Sequence, residues 1–60
     1  MKDYRNDILV RARIAKVNLS ESDLEDLNLR VNNHISSGSH PFDALDMIYF
    51  HLLKKKEQND

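Results

Sequence analysis

A chain of 60 residues with nine basic and ten acidic side chains and no cysteine has room for one small domain. The lack of cysteine excludes disulfides and thiolate metal sites, and a formal charge of −1 gives the whole molecule no pull on a polyanion. Folding at this size hides only about 60% of the unfolded chain's surface, so such a core normally needs a staple or a partner subunit.

Hydrophobic residues make up 40% of the chain, too many for a disordered tail. Its apolar runs, such as Ile8-Leu9-Val10, are far too short to span a bilayer. The opening residues Met1 to Asp7 have no signal-peptide pattern, so a cytoplasmic protein is expected. His34, His40 and His51 have no cysteine or acidic pair at ligand spacing, so neither metal nor cofactor is expected. Association is then the natural source of extra stability, and a homodimer is the expected form. The charge is segregated. Residues 1–16 hold five basic against two acidic side chains, and residues 17–33 hold one against four. A polyanion would therefore meet the first segment.

In chain order, residues 1–10 read as an N-terminal arm, and the segment that follows has two readings. As a helix, residues 3–19 show one stripe of Tyr4, Ile8, Ala12, Ala15 and Leu19. A second stripe of Val10, Ile14 and Val17 lies on roughly the opposite side, which leaves amphipathicity poor. As a strand, residues 14–19 alternate well, with Ala15, Val17 and Leu19 on one face and Ile14, Lys16 and Asn18 on the other. Its isoleucine and valine content favours the strand. An isolated strand exposes two unpaired edges, so it has to pair with its twin in a second copy.

Residues 20–37 read as a helix. Ser20 stands at its N-cap, Glu21 and Asp23 lie in the first turn, and Asp23 takes the capping-box position that glutamate normally fills. Leu24, Leu27, Val31 and Ile35 form one narrow apolar face, and Gly38 is free to take the left-handed turn that ends the helix. Residues 40–56 read as a second helix, with Pro41 in the first turn, Asp43 beside the positive end of the dipole and Lys54 to Lys56 at the negative end. Phe42, Leu45, Ile48, Tyr49 and Leu52 form its stripe, and Met47, Phe50 and Leu53 widen it beyond one face, so more than one neighbour is expected.

Strand, helix, glycine turn and helix follow the order of the ribbon-helix-helix DNA-binding family. The run Leu19-Ser20-Glu21-Ser22-Asp23-Leu24-Glu25-Asp26-Leu27 resembles the strand-to-helix junction of its CopG-, Arc- and MetJ-like members. The resemblance implies an intertwined homodimer that represses transcription by laying a two-stranded ribbon in the major groove of an operator. It places Ile14, Lys16 and Asn18 on the base edges, with Arg11 and Arg13 on the phosphate backbone. Ser39 and His40 would bring a helix N-terminus to a phosphate. Val17, Leu19, Leu24, Leu27, Val31, Leu45, Ile48 and Leu52 would form the dimer core. Most of these residues also have a plainer role as caps, core or solvated surface. No serine, histidine or carboxylate spacing suggests a nucleophile with its base, so no enzyme is expected. The competing reading is an all-α protein-interaction module, a three-helix bundle or helical-hairpin dimer in which residues 3–17 are helical. The near-zero net charge favours it.

Overall fold

The structure, a computed structural model, describes the backbone of residues 2–59 and the side chains of residues 2–56. It consists of three helices: α1 (Arg5–Ala15), α2 (Glu21–Ser36) and α3 (Pro41–Asn59). No strand occurs among the described residues. Each helix packs on the other two in an elongated bundle with extents of 34 × 19 × 15 Å. The backbone of Tyr4 meets Asn28 and that of Lys2 meets Asn32, so α2 runs antiparallel to α1. Leu52 and Lys55 share a cleft with Leu27 and Asp23, so α3 runs antiparallel to α2 and parallel to α1.

The strand expected at residues 14–19 and the unpaired arm at residues 1–10 are both overturned. Arg5 to Ala15 is helix, and the start of that helix is well satisfied. The Asp3 carboxylate accepts from the Arg5 backbone N–H at 3.0 Å, and Asn28 Oδ1 accepts from the Tyr4 N–H at 2.8 Å. The Asn32 side chain accepts from the Lys2 N–H and donates to the Lys2 carbonyl, at 3.2 and 2.9 Å. These bonds hold the N-terminal segment against α2 by side-chain amides, with no sheet partner.

The helix ends at Lys16, whose φ of 60° and ψ of 43° are left-handed. Val17 N–H reaches back to the Ala12 carbonyl and Lys16 N–H to that of Arg13, the bond pattern of a Schellman motif. The C-terminus of α2 repeats this arrangement with the expected residue. Gly38 has φ of 109°, Ser39 N–H bonds to the His34 carbonyl, and Gly38 N–H bonds to that of Ile35. The first turn of α2 carries the full capping box. Ser20 Oγ accepts from the Asp23 N–H at 3.1 Å, and Asp23 Oδ2 accepts from the Ser20 N–H at 3.2 Å. The short aspartate side chain therefore suffices where glutamate is usual. Both α2 and α3 lie close to their expected spans of 20–37 and 40–56.

The core is Tyr4, Ile8, Ala12 and Ala15 from α1, Leu27 and Val31 from α2, and Ala44, Leu45, Ile48 and Leu52 from α3. Val17, Leu19, Leu24 and Ile35 pack half-buried against it. Of the side chains assigned to a shared dimer core, Leu27, Val31, Leu45, Ile48 and Leu52 are buried within the one chain, and Val17, Leu19 and Leu24 are half-buried. Three of the ten core positions are alanine, and small side chains let helix backbones approach closely while filling the interior.

Candidate functional site

The residues expected to read DNA lie on a helix end and the linker after it, not on a strand. Ile14 sits in the last turn of α1 with 64% of its surface open. Lys16 forms the left-handed helix end, and exposed Asn18 lies in the linker before α2. In a strand these three would project from one face. Here a helix end separates the first from the others, and the element that was to enter the groove is absent. Arg11 is half-buried, and its guanidinium donates to the Asp7 carbonyl one turn earlier at 3.1 Å. Arg13 is exposed on α1.

Ser39 and His40 belong to the α2–α3 turn. Ser39 donates its N–H to the end of α2. His40 Nδ1 accepts from the Phe42 N–H at 3.2 Å, and its ring stacks on Phe42 with centroids 5.5 Å apart and planes 6° apart. A backbone donor that would have met a phosphate is thus taken by the imidazole. The resemblance to ribbon-helix-helix repressors is overturned on this evidence: the junction motif around Ser20 caps a helix whose preceding segment is helix and linker.

Chemistry-bearing groups are sparse. No charged or polar residue is buried among the described residues. No group of three histidine, aspartate or glutamate side chains among them is placed to hold a metal ion. The carboxyl of Asp3 is held below the usual aspartate range by hydrogen bonds from the Arg5 side chain and backbone. The same contact raises the Arg5 guanidinium. The Asp23 carboxyl is lowered by the Ser20 backbone N–H and then by the Ser20 hydroxyl, both within the capping box. All these shifts come from helix-start hydrogen bonds. A cleft of about 150 Å³ between α2 and α3 gathers Asp23, Asp26, Arg30, His51 and Lys55, a mixed-charge surface. It is smaller than the 300–1,000 Å³ or so usual for ligand pockets.

The feature that stands out is apolar. Val10 and Ile14 on α1 line a groove with Tyr49 on α3, together with Arg11 and Asp46. Val10 is 52% open, and Phe50, whose ring lies 6.3 Å from that of Tyr49, is 62% open. Phe42, two helical turns before Tyr49 on the same side of α3, is 68% open. The second apolar stripe of the first segment, Val10 and Ile14, therefore faces outward beside the surplus aromatics of α3. Sequence reasoning found both sets of residues and assigned neither to this face. The available signal was that each helix carries more apolar positions than one core stripe needs. Met47 and Leu29 are further exposed apolar side chains. No helix among the described residues is long and apolar enough to cross a membrane.

Neither a protein-family profile, nor a curated protein, nor a solved structure matches this chain.

Proposed function

We propose that the chain is a non-catalytic protein-interaction module that docks the outer face of α1 and α3 against an apolar face of another polypeptide. The observation that carries this reading is that Val10 and Ile14, which line the α1–α3 groove, and Phe42 and Phe50 on α3 are each more than half open. Soluble chains seldom expose apolar patches beyond about 300–600 Å², and patches rimmed by polar groups mark interaction sites. Here Arg11 and Asp46 supply the polar groups, and the aromatic content matches the residues that anchor interface centres. Two helices side by side with an apolar seam between them can accept a third apolar stripe at helical spacing.

Selection from a displayed library of amphipathic helical peptides tests this. The wild-type chain as bait enriches peptides with apolar residues at i, i+3, i+4 and i+7, and the double variant Ile14→Glu/Phe50→Glu does not. Identical enrichment by both baits refutes the reading. So does the absence of enrichment by a wild-type chain that also fails to self-associate.

A further inference from the structure

From the charges on this face we infer that its occupant is a second copy of the chain, in a two-fold dimer that sets α1 of one copy on α3 of the other. The inference rests on reading the α1–α3 face as an interface and adds the identity of the partner.

Arg11 and Asp46 line one groove, the cation on α1 and the anion on α3. They form no ion pair within the chain, where Arg5 with Asp3 is the one ion pair among the described residues. A two-fold axis lying in the interface along the groove exchanges the α1 side with the α3 side and preserves the level along the helices. Arg11 of each copy then faces Asp46 of its twin, so both pairs form at once. An isologous contact needs such a self-complementary surface. A foreign helix would need its own acid and base at matching positions. Ile14 and Tyr49 share the same groove, so the same operation seats Ile14 of each copy against Tyr49 of its twin, about one turn along from the charge pairs.

The area is sufficient. With a whole aromatic worth about 150–250 Å², Phe42 and Phe50 together with Val10, Ile14 and Tyr49 leave roughly 400–500 Å² of apolar surface open. A standard interface takes about 800 Å² from each partner, a little over half of it non-polar. The chain exposes 4508 Å² in all, above the roughly 4,000 Å² expected of a compact protein this size. Covering this face supplies the partner surface that a core of ten residues, three of them alanine, leaves wanting.

Sedimentation equilibrium on the full chain, from micromolar to millimolar concentration, tests the proposal, with circular dichroism confirming that each variant keeps its helices. The wild type forms a dimer, and Ile14→Glu is monomeric. Arg11→Asp and Asp46→Arg each weaken association by about tenfold through two like-charge contacts, and the double swap restores it. A double swap no tighter than the single variants overturns the paired geometry, and a dimer indifferent to Ile14→Glu overturns the face. A wild type that stays monomeric overturns the second copy as occupant. If that monomer still selects amphipathic peptides, the interaction module survives without the dimer, and if it selects none, both readings fall.

Discussion

Truncating Ile8 to alanine tests the fold most directly, because the helical and the extended readings of the first segment give opposite outcomes. In the bundle the Ile8 side chain is fully buried. Alanine removes three carbons, and at about 0.8 kcal/mol for each buried CH₂ the lost transfer energy is roughly 2.4 kcal/mol. The void adds to this, because Ala12, one turn along the same stripe, is too short to fill it. A loss of about 3–4 kcal/mol follows, within the range of 2–5 for such truncations. A chain of this length has about 3–9 kcal/mol of total stability, so the variant is marginal or unfolded at room temperature. Urea denaturation followed by far-UV circular dichroism measures the difference, at a chain concentration low enough that every variant is monomeric and association contributes to none. Ile14→Ala is the control. With 64% of the side chain already open, its loss stays within about 0.5 kcal/mol. If residues 1–10 were an arm, Ile8 would behave like Ile14, and a gap between the two variants under about 1 kcal/mol refutes the helical packing of α1.

Lys16→Gly raises stability by up to about 1 kcal/mol, because an L-residue at φ of 60° carries a left-handed strain that glycine lacks. Thermal unfolding checks it, and a fall in melting temperature contradicts the left-handed helix end. Acid removes a share of stability held by Asp3 and Asp23. Both carboxyls titrate below the ordinary value of 3.8 when folded, so their contribution is complete above that pH and is lost as pH falls through the folded values. Asp23→Asn therefore loses less stability than the wild type between neutral pH and the acid limb, and equal losses in urea titrations at each pH refute the role of the ionised capping box.

Two of the three helices were legible because their ends carry conventional chemistry. Ser20 with Asp23 opens α2, Gly38 closes it, and Pro41 opens α3, each a residue whose backbone or side chain favours that position. The α1 helix ends on the same Schellman bonds as α2 but with lysine in the left-handed place, and lysine carries no turn signal. Its start lacks a side-chain cap from Tyr4 and depends on Asn28, 24 residues away, which no local pattern shows. The alternation from Ala15 to Leu19 was real: Ala15 is buried, Lys16 and Asn18 are exposed, and Val17 and Leu19 pack on the core. A helix end followed by an extended linker produces that period as well as a strand does, so alternation over so few residues could not separate them. Leu27, Val31, Leu45, Ile48 and Leu52, expected in the core, are buried within the chain, because burial follows from side-chain type, whereas the number of chains that supply it does not.

The interaction face and the misreading of α1 have one origin. A helix that serves only its own core has one apolar stripe and a polar back, and periodicity then identifies it. α1 has Tyr4, Ile8, Ala12 and Ala15 inside and Val10 and Ile14 outside, so its pattern averages out and a strand fits better. The outward pair would be a liability on an isolated molecule, since exposed branched side chains beside two open phenylalanines favour association. Such a surface is consistent with solubility when something covers it in a fixed geometry. In the proposed dimer the opposed charges of Arg11 and Asp46 supply that geometry by disfavouring any register that sets like charges together. On the proposed dimer, the weak amphipathicity of α1 follows from a helix that has two partners to satisfy, one within the chain and one outside it.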